Sequence, residues 1–265
     1  MHLKIHHRTE YHYESPVHYS IQELRLTPPD VTGQKTRKWK LHTPIKSFQS
    51  SDPFQNICNV FVQETPYTSM VIEAEGEIET IDAFELCDSS NAVSPYYLLQ
   101  QTPLTEPSNT MLDYFSGVMP RANQIDAILK LAEAVQEAIP YSPGKTHFAT
   151  TAAQAFAMQA GVCQDHSHIM LGLCRAANIP ARYVSGYFFA EESPNLASHA
   201  WIDFCLDISK GQWISVDITH ACLIDSRHVR LAVGRDYYSA APIKGVRSGG
   251  GTESLSASIS IHQLS

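Results

Sequence analysis

Three features of the sequence predict an α+β fold: period-two apolar alternation in residues 1–82, an amphipathic helical stretch after them, and a helix followed by three alternating strands over 163–219. The chain is read as an N-terminal antiparallel β-sandwich domain over 1–82, a linker over 83–110 and a catalytic α+β unit over 111–265. Its 265 residues, 43% of them hydrophobic, suffice to bury a core.

The first strand is read from Leu3, Ile5, His7, Thr9, Tyr11 and Tyr13, every second residue facing one side. Ile21–Leu26 ends at Pro28-Pro29, and Asn56–Val62 ends before Pro66. Val71–Ile81 sets Ile72, Ala74, Gly76 and Ile78 against four glutamates. A looser, proline-containing stretch begins near Pro95. Over Arg121–Ile139 the apolar residues Ile125, Ile128, Leu129, Ala132, Val135 and Ile139 recur at helical spacing, and Pro140 stops the helix. Thr151-Ala-Ala-Gln154 reads as a capping box for a short helix ending at Gly161, and residues 163–177 as another ending at Asn178-Ile179-Pro180. Strands follow at Ala181–Phe189, Ser198–Leu206 and Trp213–Thr219. Ser248-Gly249-Gly250-Gly251 lacks the Lys-Ser/Thr of a phosphate cradle and reads as a flexible loop.

The net charge of −8, from 27 acidic against 19 basic residues, argues against a nucleic-acid partner, which needs clustered Lys and Arg. No run approaches the ~18 apolar residues of a membrane span, and the charged, His-rich N-terminus does not read as a signal peptide. A cytoplasmic location without membrane partners is expected. The six cysteines are scattered and read as reduced, with Cys58, Cys174 and Cys205 as small buried hydrophobes.

Cys163 stands apart. It follows Gly161-Val162 at the first turn of a helix, where unpaired N–H groups and the positive dipole end favour a thiolate, although a buried structural cysteine would fit that position equally. In the next two strands Ala200, Ile202, Phe204 and Leu206 form one apolar set and Ile214, Val216 and Ile218 the other. If these share a core face, His199, Trp201, Trp213, Ser215 and Asp217 share the opposite one, and the short turn at Ser209-Lys210-Gly211-Gln212 sets His199 opposite or diagonal to Asp217. A carboxylate on one imidazole nitrogen leaves the other free to hold the cysteine proton. The order Cys163, His199, Asp217, with the cysteine on a helix and its partners on following strands, is the topology of the papain-like group.

Thr150–Gly186, with Ser198-His-Ala-Trp201 and Val216-Asp-Ile-Thr219, resembles the bacterial transglutaminase-like family. The resemblance continues through His228–Tyr237 and Pro242-Ile-Lys-Gly-Val and extends to the N-terminal β region. It implies a papain/transglutaminase-like core in which Cys163 is the nucleophile, His199 the base and then acid, and Asp217 the orienting residue. The glutamine that papain-like enzymes often place shortly before the cysteine is missing, since Ala157 lies six residues upstream. The Cys163 N–H is a first oxyanion donor, with Tyr141, Gln164 or Trp201 as sources of a second.

The expected function is cysteine-dependent acyl transfer, cleaving or exchanging an amide bond in a peptide, a protein or a glutamine carboxamide through a thioester, with hydrolysis favoured. The alternative is a catalytically silent binding module on the same fold. No cofactor is implied and the oligomeric state is open. Metal binding by Cys163, His166 and His168, or by Asp217, His220 and Cys222, is not expected, because the spacing does not complete a four-ligand set. Asp165 and His166 are expected to position the active-site loop or satisfy nearby backbone. Arg227, Arg230, Arg235 and Lys244 read as surface or salt-bridge residues ahead of a substrate-carboxylate clamp, and Trp201 and Trp213 as packing or as cleft walls.

Overall fold

The computed structural model describes residues 1–87, 93–121, 123–191 and 198–264. Strand β1 (His2–Leu24) is a single strand where the sequence reads as two. Its predicted alternation holds, with Leu3, Ile5, His7, Thr9 and Tyr13 buried. Between His12 and Val17 its pairing shifts register, around Glu14-Ser15-Pro16. On one flank β4 (Ile57–Gln63) and β5 (Tyr67–Thr80) follow one another along β1. On the other flank run β12 (Ile243–Gly249) and β13 (Glu253–Gln263). The outer positions are taken by β2 (Gln34–His42) beside β5 and β3 (Phe48–Ser51) beside β4.

All three long paths are interrupted at one level, by Pro16, by Pro66 and by Gly249–Gly251. These three glycines have φ of +87°, +96° and +61°, the left-handed region that side chains rarely enter. Ser15 N–H donates to Gly250 O at 3.1 Å and Gly250 N–H to Pro16 O at 3.1 Å. The stretch expected as a flexible loop is therefore a hydrogen-bonded corner. One cluster joins Leu3, Ile5, Ile72 and Ile78 from one side of the corner with Leu24 and Phe61 from the other, so the sandwich is a single curled sheet.

Two features depart from the expected division at 82 and 111. Residues 243–263 hydrogen-bond along β1 rather than within the unit 111–265, because β1 offers them a full second flank. The N-terminal core is also not its own, since Tyr187, Val229 and Leu231 of the second sheet, with Phe189 just beyond it, complete it. Of the segment read as a linker, 85–87 form β6 (Glu85–Cys87) in the second sheet and Pro95–Leu99 a 3-10 turn that buries Leu98, while α1 (Asn109–Phe115) begins before its end. Residues 88–92 lie outside the described residues.

The second sheet contains β7 (Ala181–Phe188), β8 (Ser198–Asp207), β9 (Gln212–Asp217), β10 (Cys222–Leu223) and β11 (His228–Gly234). Its order is β10-β9-β8-β7-β11, with β6 on β9. The predicted helix Arg121–Ile139 is α2 (Ile125–Ala138), starting four residues later, with Ala122 outside the described residues. The Thr151–Gln154 capping box opens α3 (Ala152–Met158), which ends at Gln159 in the left-handed conformation, two residues before the predicted Gly161. These helices and α4 (Cys163–Ala176) cover one face of the sheet. Ile128, Val135, Ile169 and Leu173 pack there on Ala200, Ile202, Phe204, Ile214 and Val216, the apolar sets predicted from the strands.

The opposite face meets the N-terminal region through polar fits. The Gln34 amide donates to Arg230 O at 3.0 Å and accepts from Arg230 N at 2.7 Å. Asn56 does the same at Val233, with 2.7 and 2.8 Å. Side-chain amides thereby supply the hydrogen bonds that a further strand would give to the edge strand β11. No helix of the described residues is long and apolar enough to cross a membrane.

Candidate active site

Cys163 is the first residue of α4, where its N–H has no partner within the helix. The turn before it is tightly built. Asp165 folds back so that its Oδ2 accepts from Val162 N at 2.8 Å and from Thr146 Oγ1 at 2.6 Å. Gly161 makes room for this, since a Cβ there would stand 2.7 Å from Asp165 Cβ. His166 bridges Ile139 O at 2.8 Å and Thr219 Oγ1 at 3.0 Å, tying α4 to the end of α2 and to the loop after β9. Asp165 and His166 thus have the positioning roles expected of them. Ser142 N–H donates to Gly161 O at 2.7 Å, which places the half-exposed Tyr141 beside the cysteine.

His199 stands at the start of β8 and Asp217 at the end of β9. Ile202 pairs with Val216, so the two are diagonal neighbours, and His199 Nε2 lies 2.7 Å from Asp217 Oδ2. Burial alone would lower the His199 pKa. The hydrogen bond and charge of Asp217, followed by those of the Cys163 side chain, outweigh it and raise the imidazole to about 10. Since Nε2 is held by Asp217, Nδ1 is left for the sulfur. The structure therefore brings together all three residues predicted from the sequence.

Asp217 has further partners that the sequence reading missed. His220 Nδ1 lies 2.6 Å and His228 Nε2 3.0 Å from the same Oδ2. Asp217 is fully buried, which opposes its charge, yet its three imidazole partners hold its carboxyl well below the usual range. Asp225 closes the shell, with its Oδ1 at 3.1 Å and its backbone N at 3.2 Å from His228 Nδ1. Pleat parity could not reveal His228, because two strands separate β11 from β9 and the curl of the sheet brings their ends together.

A 270 Å³ cavity opens on this centre, lined by Tyr141, Phe188, Ala190, Ser198, His199, Thr219 and His220. A 710 Å³ cavity shares Phe188, Ala190 and His220 with it and continues past Asp225 and Arg227. Trp201 and Trp213 are packing residues, buried with Val184 and Val233 and with Leu86 and Leu98 respectively. Arg230 joins Arg182 and Ser215 on the buried Asp203, and Arg227 pairs with Asp225. All six cysteines are free.

Residues 115–218 match the transglutaminase-like superfamily and residues 3–79 the bacterial transglutaminase-like N-terminal region. The uncharacterized protein ML0607 of Mycobacterium leprae is 29% identical over 280 residues, covering 99% of both chains. The uncharacterized protein Rv2569c of Mycobacterium tuberculosis is 24% identical over 271 residues, 92% of this chain and 86% of that one. The crystal structure of a proposed cysteine protease from Cytophaga hutchinsonii superposes with a TM-score of 0.80 at 23% identity, covering 100% of this chain and 91% of that one, which shows a common fold. With a core match that begins in α1, spans α4 and ends just past Asp217, behind a matching N-terminal β region, the chain belongs to the bacterial transglutaminase-like family.

Proposed function

We propose that this protein is a cysteine-dependent acyl-transfer enzyme that opens amide bonds through a thioester on Cys163, with water favoured as the resolving nucleophile. The observation that carries this reading is the His199 imidazole, held by Asp217 at 2.7 Å on Nε2 and raised further by the Cys163 side chain. In the first half-reaction the sulfur attacks the carbonyl carbon and His199 gives its Nδ1 proton to the leaving amine. In the second, the same nitrogen takes a proton from water, which attacks the thioester and releases the acid and the thiolate.

Charge developing on the carbonyl oxygen is met by the Cys163 N–H and by the hydroxyl of Tyr141. Of the three side chains considered for the second role, Gln164 is bound to Phe148 O at 3.2 Å and Trp201 is fully buried in another cluster. Tyr141 lines the cavity beside His199. The substrate is a peptide or a glutamine carboxamide whose acyl part lies against Phe188 and Ala190.

Iodoacetamide labelling at pH 6, followed by mass spectrometry, tests the reading. Burial pushes the thiols of Cys58, Cys205 and Cys222 up to about 11 and that of Cys174 to about 12, which leaves the exposed Cys87 as the competitor, and Cys163, at the first turn of α4, is expected to be labelled ahead of it. A library of peptides and glutamine amides, with ammonia and amine release measured separately, then identifies the substrate. Equal labelling of Cys163 and the buried cysteines, together with no release from any library member, identifies a silent binding module instead.

A further inference from the structure

Three imidazole nitrogens converge on one carboxylate oxygen, Asp217 Oδ2, which has two lone pairs to offer. That is more donors than a carboxylate that orients one imidazole needs. His199, Asp217 and His228 each offer one ligand atom within 4.8 Å of the others, His199 Nε2 and His228 Nε2 standing 2.7 and 3.0 Å from Asp217 Oδ2, and their side chains are at most 7% exposed. Ligand atoms around a tetrahedral zinc ion, bonded at 2.0–2.1 Å, stand about 3.3 Å apart, a few tenths of an ångström wider than the 2.7 and 3.0 Å that separate the two Nε2 atoms from Oδ2.

The geometry points to a second property of this centre: His199, Asp217 and His228 form a reversible site for a borderline-soft divalent cation of the zinc class, which silences the enzyme by occupying the nitrogen that Asp217 holds. This rests on the proposed role of His199 for its consequence, though not for the binding itself. Three ligands of the type that zinc prefers are present. Around them is the outer shell such a site requires, since His228 Nδ1 faces the carboxylate of Asp225 at 3.1 Å. Phe188 supplies an apolar wall, its ring centroid 5.2 Å from His199 and 4.8 Å from His228. His220, whose Nδ1 lies 2.6 Å from Asp217 Oδ2, is 42% exposed and lines both cavities, so the group stands one side chain away from solvent.

The proton balance is defined. On binding, the Nε2 proton of His199 leaves to solvent. His228, whose Nε2 proton faces Asp217 Oδ2 before the ion arrives, exchanges it through solvent for one on Nδ1, toward Asp225 Oδ1, so that Nε2 meets the ion. A His199 ring bound through Nε2 keeps one proton, on Nδ1, and has no lone pair left to accept another. It can neither take a proton from water nor donate one without becoming an imidazolate, so turnover stops while the metal stays.

Isothermal titration of Zn²⁺ into the Cys163→Ala protein tests this without activity and without the thiol. One-to-one binding is expected, within about threefold of wild-type affinity because sulfur is not a ligand, with a rise in the thermal midpoint. His228→Gln keeps a hydrogen-bonding side chain near Asp217 and is expected to bind at least about 100-fold more weakly, while Asp225→Asn loses about tenfold. Circular dichroism of each apo variant confirms its fold, and zinc anomalous scattering from a soaked crystal locates the ion. Loss of binding in Cys163→Ala, full binding in His228→Gln or no saturable binding to the wild type would each overturn the site. Titration of the Cys163→Ala protein reads binding alone, so a failure of the acyl-transfer reading would leave its outcome intact and be seen separately.

Discussion

His199 and Asp217 are diagonal partners across β8 and β9, with Nε2 and Oδ2 2.7 Å apart in a pocket that buries both side chains. Removing each member of the proposed triad therefore has a distinct effect. Cys163→Ala is expected to abolish turnover with the fold intact. His199→Ala costs nearly as much at pH 7 and recovers partly at high pH, where hydroxide ionises the thiol. Asp217→Asn costs about 10²- to 10⁴-fold in kcat, less than its counterpart in serine proteases, because a thiol ionises more readily than a hydroxyl. Steady-state kinetics on the substrate found by library screening read the order, and full activity in Cys163→Ala would contradict the assignment.

Acid stability is set by two buried histidines. Burial, with repulsion from His6, lowers His7 to about 4, and burial lowers His168 to about 4, both from 6.5. Between those values the unfolded chain binds protons that the folded chain does not, so stability falls as pH drops from 6.5 to 4, by up to about 3 kcal/mol per histidine. His199 behaves oppositely. Raised to about 10, it contributes stability that is complete below 6.5 and lost as pH rises through 10. Urea midpoints across pH 4–10 are expected to peak near neutrality, and His7→Asn to flatten the acid limb.

The amide fits of Gln34 on Arg230 and of Asn56 on Val233 satisfy buried backbone groups of an edge strand. Gln34→Ala or Asn56→Ala leaves one donor and one acceptor of β11 unpaired. Each is expected to cost about 1–3 kcal/mol in urea unfolding, and amide exchange at 230 and 233 is expected to accelerate.

Because β13 completes the core around β1, Ile261 is 1% exposed although it lies near the end of the strand. Ile261→Ala is expected to cost about 2–4 kcal/mol. Circular dichroism and tryptophan fluorescence are expected to report one coincident transition. A loss below about 0.5 kcal/mol would show that β13 is not part of the cooperative unit.

Pleat parity made the His199–Asp217 pair readable, because β8 and β9 are joined by a short turn and their apolar sets fix which residues share a face. The same reasoning could not reach His228, whose contact with Asp217 depends on the curl of a sheet across intervening strands. β2 escaped notice because Lys35, Arg37, Lys38 and Lys40 hide its alternation. Its signal lay in charge complementarity, with Arg37 against Glu79 and Lys38 against Glu77 on β5. β13 did carry a period-two pattern, Ser254-Leu-Ser-Ala-Ser-Ile-Ser-Ile261, but nothing local says that its partner is the opposite end of the chain.

The pairing of Leu3 with Gln263 has a consequence for biosynthesis. The ribosome releases β1 before β12 and β13, so the central strand of the N-terminal sheet waits through the synthesis of residues 25–242 with one flank open. Meanwhile the second sheet has all its strands once Gly234 has emerged. Contacts of such sequence separation form slowly, and an unpaired strand edge invites pairing with other chains. The final strands therefore act as a kinetic seal, and a nascent chain stalled after β11 would hold every proposed catalytic residue on an unfinished and aggregation-prone scaffold.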